Sequence, residues 1–94
     1  MKTDNTVLYK ITITGRVQGV GFRWNALREA SSLGLTGFVR NMTDGSVYIE
    51  AEGRREVLEL FAEWCKTGPP HAHVKSIDVI STLPEGYNEF VISR

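Results

Sequence analysis

The chain has 94 residues, 41% of them hydrophobic, and its 11 basic and 11 acidic side chains leave no formal net charge. That length suits one compact domain over 1–94 and leaves no room for a second core. No apolar run approaches the ~20 residues needed to span a bilayer, and a neutral balance gives no bulk attraction to a polyanion, so neither a membrane nor a nucleic-acid partner is expected.

Residues 1–6 are polar and lack the basic-then-apolar pattern of a secretion signal, which predicts a flexible tail and a protein that stays in the cytoplasm. The single cysteine, Cys65, forms no internal disulfide and suits the same reducing compartment. Over residues 7–13, Val7, Tyr9, Ile11 and Ile13 alternate with polar neighbours, the period-2 pattern of a strand with one buried face. Residues 15–21 hold three glycines and interrupt that strand. Over 22–33, Phe22, Ala26, Ala30 and Leu33 recur at helical spacing, and Gly34 is placed to end the helix.

Two β-prone runs, 36–40 and 46–52, flank a loop with the Asp44-Gly45 turn signal and predict an antiparallel hairpin. Residues 54–66 carry Val57, Leu58, Phe61, Trp64 and Cys65 on one face of a second helix, which Gly68-Pro69-Pro70 terminates. Alternating Lys75, Ile77 and Val79 mark a fourth strand over 74–83, and 89–92 can add a short terminal one. The order β-α-β-β-α-β predicts an α+β, ferredoxin-like split βαβ sandwich: an antiparallel sheet with two helices packed on one face. Such a scaffold serves unrelated functions, so function has to come from a site.

The informative segment runs from Gly15 through Arg16, Val17, Gln18, Gly19, Val20, Gly21 and Phe22 to Arg23, a glycine-rich turn leaving a strand and entering a helix. A helix start has unpaired N–H groups and the positive end of the dipole, and glycine lets consecutive amides point at one anion. Arg23, in the first helical turn, can add a planar guanidinium to the same oxygens. Lys10, Arg16, Arg23, Arg28 and Arg40 stand against Glu29 alone between residues 5 and 43, a local surplus of positive charge suited to a small anion. Phe22 and Arg23 after Gly21 rule out a Walker loop, and Trp24 stands where a dinucleotide fingerprint needs its third glycine. Alone, the loop also reads as a tight turn.

Asn41, taken alone, is a residue that hydrogen-bonds its own turn. In the predicted topology, however, strands one and two run in the same direction, which puts the end of the second beside the start of helix one. Asn41 then falls near Arg23.

The run from Gly15 to Arg23 resembles the phosphate-binding signature of the acylphosphatase family, and Gly37-Phe38-Val39-Arg40-Asn41 with Asp44-Gly45-Ser46-Val47 resembles its second signature. Glu52-Gly53, Gly68-Pro69-Pro70 and the terminal Phe90, Ile92 and Arg94 continue the likeness over nearly the whole chain. The resemblance implies hydrolysis of the carboxyl-phosphate bond of acyl phosphates. It implies that Arg23 clamps the phosphate together with the backbone amides of Arg16, Val17, Gln18, Gly19 and Val20, and that Asn41 orients the attacking water. It implies no metal and no cofactor, and as partners only an acyl phosphate substrate and inorganic phosphate. We expect a monomer.

Other residues fit blander roles. Cys65 lies on the apolar face of helix two and reads as a core thiol. His71 and His73 lack a companion ligand cluster and read as loop residues. Trp24 stands in the first turn of helix one, where it faces either solvent or a substrate. The alternative from another class is a non-catalytic anion- or RNA-binding module on the same scaffold. Residues 46–52 offer an RNA-recognition strand only Tyr48 and end acidic. A third reading relates the chain to the acylphosphatase-like domain of a hydrogenase-maturation carbamoyltransferase, and with it to carbamoyl phosphate.

Overall fold

The computed structural model describes residues 6–94. Its elements are β1 (Thr6–Arg16), α1 (Phe22–Ser32), β2 (Thr36–Asn41), β3 (Val47–Arg54), α2 (Arg55–Cys65), β4 (His73–Thr82) and β5 (Phe90–Ile92). Residues 1–5 of the expected tail lie outside the described residues, while Thr6 opens β1.

The strands form one sheet in the order β4-β1-β3-β2-β5. Pairing is antiparallel between β1 and β3, β1 and β4, and β2 and β3. The terminal strand departs from the antiparallel expectation: β5 runs parallel to β2, with Val39 opposite Ile92, and makes the sheet mixed. The chain reaches that edge after leaving β4 on the opposite one. The Glu52 carboxylate accepts hydrogen bonds from the amides of Glu85 (2.9 Å) and Gly86 (3.0 Å) along the way. Gly37 N–H donates to the Glu89 carbonyl, and Ser93 N–H to that of Val39, clamping β5 at both ends.

Period two in the strands and 3.6 in the helices meet in one core. Tyr9, Ile11 and Ile13 of β1, Val39 of β2 and Val47, Ile49 and Ala51 of β3 bury one sheet face against Phe22, Ala26 and Ala30 of α1 and Leu58, Phe61 and Cys65 of α2. Leu33, Val57 and Trp64, expected inside, are partly buried and pack at the core's edge. α1 ends as Gly34 foretells: Gly34 N–H donates to the Ser31 carbonyl and Leu35 N–H to that of Ala30, which satisfies the last turn.

β1 continues past residue 13, because a register shift between Thr14 and Gly15 lets Gly15 and Arg16 pair with β4. Gly15 has φ +123°, and a Cβ there would stand 2.3 Å from the His73 carbonyl oxygen, so only glycine admits β4 this closely. The loop proper therefore begins at Val17.

Candidate active site

Val17 is buried and anchors the loop to the core, and after it the chain turns through Gly19 (φ +75°) and Gly21 (φ +81°) into α1. Gly21 is the N-cap of α1 and supplies no side-chain cap for the helix amides. Among the described residues, the amides of Val17, Gln18, Gly19 and Val20 donate to no backbone carbonyl or side-chain acceptor. A glycine-rich bend with free N–H groups beside an uncapped helix start is an anion cradle in the physical sense.

Arg23 extends from the first turn of α1. Its side chain makes no ion pair among the described residues, where Arg54 with Glu56 and Lys66 with Glu63 form the salt bridges. Arg40 does not add to that charge. It lies on the sheet face away from the core, with its guanidinium 5.7 Å from the centre of the Phe38 ring and 5.9 Å from that of Tyr48.

Asn41, the last residue of β2, arrives at the same place. A cleft of about 230 Å³ is lined by Val17, Gly19, Gly21, Phe22, Arg23, Trp24, Asn41 and Ile92. The structure thus brings Val17, Gly19, Arg23 and Asn41 together. Arg16 closes β1 opposite His73, while Gln18 and Val20 flank the cleft without lining it. Sequence reasoning did not name Gly21, Phe22 and Ile92 as site residues, and it left Trp24 between solvent and substrate. A signal existed for Phe22 and Trp24, which adjoin Arg23, and for Gly21 beside them, and none for Ile92, which arrives through the pairing of β5 with β2.

The reading of Asn41 as a residue serving its own turn can be tested on the hydrogen bonds. The β2–β3 turn is held by Asp44, whose Oδ1 accepts from Ser46 N–H (2.9 Å) and Ser46 Oγ–H (2.6 Å). Those bonds keep the Asp44 carboxyl below its ordinary range. Met42 N–H donates to the Ser46 carbonyl and Gly45 N–H to that of Met42, which completes the turn without the Asn41 side chain. Asn41 Oδ1 is buried and has no hydrogen-bond partner among the described residues. A buried acceptor left unsatisfied costs about 1–3 kcal/mol, and the turn bonds do not offset that cost at Asn41.

Loop and turn are joined by a side chain. Gln18 Nε2 donates to the carbonyls of Met42 (2.8 Å) and Ser46 (2.9 Å), tying the anion cradle to the turn that follows Asn41. We expect Gln18→Leu to lower stability by about 1–3 kcal/mol, the worth of two neutral hydrogen bonds, measured by urea denaturation. An unchanged midpoint would show that loop and turn hold their places independently.

Cys65 is fully buried in the core, and desolvation pushes its thiol far above the ordinary range, which leaves no thiolate for nucleophilic attack. Among the described residues, no group of three His, Cys, Asp or Glu side chains is gathered where it could hold a metal ion. No described helix is long and apolar enough to cross a membrane.

Residues 9–92 match the acylphosphatase family model. An acylphosphatase from Trichormus variabilis is 48% identical over 84 residues, covering 89% of this chain and 83% of the relative. The crystal structure of an acylphosphatase from Bacillus subtilis superposes with a TM-score of 0.91 at 42% identity, covering 94% of this chain and 99% of that one. The structure of HypF from T. kodakarensis superposes with a TM-score of 0.82 at 34% identity, and the match covers 94% of this chain but 12% of that much longer one.

Proposed function

The chain belongs to the acylphosphatase family and hydrolyses the carboxyl-phosphate bond of acyl phosphates, and we propose that it does so by in-line attack of a water placed by Asn41 on a phosphate held by Arg23. The observation that carries this mechanism is that Asn41, whose side-chain oxygen has no partner among the described residues, lines the same cleft as Arg23.

In the proposed complex the Arg23 guanidinium and the free amides of the loop, Val17, Gln18, Gly19 and Val20, bind the phosphate oxygens, while Arg16, expected among them, stays in β1 opposite His73. Asn41 Oδ1 accepts a hydrogen bond from water and turns its lone pair toward phosphorus. The water oxygen bonds to phosphorus as the bond to the acyl oxygen breaks. The carboxylate departs with the electron pair, and the water proton passes to a phosphate oxygen. A carboxylate leaves readily, so no strong general acid is required. Positioning and charge stabilisation supply the acceleration.

The reaction as proposed uses a single domain, an acyl phosphate and water. The proposal involves no cofactor, no metal and no nucleic acid, and places a monomer in the cytoplasm. It is tested by benzoyl phosphate hydrolysis with and without chelator and a thiol-alkylating reagent. We expect neither treatment to change the rate, because the reaction as drawn uses no metal and Cys65 is inaccessible. Loss of activity with EDTA that a divalent ion restores would contradict the mechanism.

A further inference from the structure

The cleft lining divides chemically. Gly19, Gly21, Arg23 and Asn41 offer amides, a guanidinium and a carboxamide, whereas Trp24 offers a mainly apolar indole ring and Ile92 an aliphatic side chain. Trp24 is 59% exposed and Ile92 37% exposed.

Core packing does not explain either one. Phe22, Ala26 and Ala30 form the buried stripe of α1, and Trp24, two residues from both Phe22 and Ala26, lies off that stripe. Ile92 pairs with Val39 on β2, two residues before Asn41, so β5 carries an apolar side chain to the strand end where the carboxamide stands. Exposed indole surface gains about 25 cal/mol per Å² when a ligand covers it.

Both residues line the cleft that takes the phosphate, and an acyl phosphate carries its acyl group one oxygen away from phosphorus. A volume of about 230 Å³ equals that of roughly eight liquid waters at ~30 Å³ each, more than the five heavy atoms of phosphate fill. The acyl group is the one part of the substrate that must leave the phosphate pocket alongside that apolar surface.

We propose that Trp24 and Ile92 form an acyl-binding lip that selects aromatic acyl phosphates over acetyl and carbamoyl phosphate. The selection rests on the reading of the cleft as the phosphate site. A flat aryl group stacks on the indole and covers apolar area. A methyl group covers little, and the polar carbamoyl group gains nothing there.

The test uses purified enzyme with benzoyl, acetyl and carbamoyl phosphate. We expect Trp24→Ala to lower the ratio of kcat/KM for benzoyl over acetyl phosphate by about tenfold, and Trp24→Phe to keep most of it. A ratio cancels any loss of active protein, so reduced folding of a variant leaves the result readable. Wild-type enzyme active on all three substrates with a ratio moved less than about twofold by Trp24→Ala would overturn the lip alone. Wild-type enzyme that turns over carbamoyl phosphate best would also overturn it. Failure to hydrolyse any of the three would overturn the phosphate-site reading and the lip with it.

Discussion

Arg23→Gln is expected to lower kcat/KM by about 10²- to 10⁴-fold, because two charge-assisted hydrogen bonds to phosphate are worth about 3–6 kcal/mol together. The fold should not register the change. Arg23 makes no ion pair among the described residues and extends outward from the first turn of α1, so the substitution falls among surface changes worth about ±0.5 kcal/mol. Arg23→Lys should recover little, since an ammonium cannot present the planar fork that meets two oxygens at once. Competitive inhibition by inorganic phosphate measures binding separately from turnover. It should weaken in parallel with kcat/KM in the Gln variant. Retained phosphate affinity would show that the free amides of the loop, not Arg23, hold the anion.

The strands and helices were legible because each buries one face of a regular period: Tyr9, Ile11 and Ile13 in β1, and Leu58, Phe61 and Cys65 in α2. The meeting of Asn41 with Arg23 followed from topology, since β1 and β2 point the same way whenever β3 pairs antiparallel with both. Features set by contact between distant segments left no local pattern. The bulge at Gly15 exists because β4 approaches within van der Waals distance, and nothing between residues 7 and 21 announces β4. Gln18 looked like one more loop residue, yet its amide reaches 24 and 28 positions along the chain to the turn carbonyls. Ile92 enters the cleft through a three-residue strand whose parallel pairing depends on how 83–89 cross the sheet.

The separation of roles between Arg23 and Asn41 is the centre of the mechanism, and Asn41→Ala isolates it. An amide that only orients the nucleophile contributes to the transition state and not to phosphate binding. Its loss should lower kcat by about 10²-fold or more, comparable to removing one preorganised hydrogen-bonding group. Phosphate inhibition should change by less than about threefold, since Arg23 and the loop amides remain. Stability follows from the same geometry. Asp44 and Ser46 hold the turn, and Asn41 Oδ1 has no partner among the described residues. Removing an unsatisfied buried acceptor should leave urea stability equal or somewhat higher, a group kept for function at a cost to the fold. A turn-serving Asn41 would instead cost about 0.5–2 kcal/mol on truncation and leave kcat near normal.

The most direct measurement is therefore kcat for benzoyl phosphate and the inhibition constant of inorganic phosphate, taken on one preparation of Asn41→Ala beside wild type. The account predicts a fall in kcat of about 10²-fold or more with an inhibition constant moved less than about threefold. Near-normal kcat in the folded variant would contradict it.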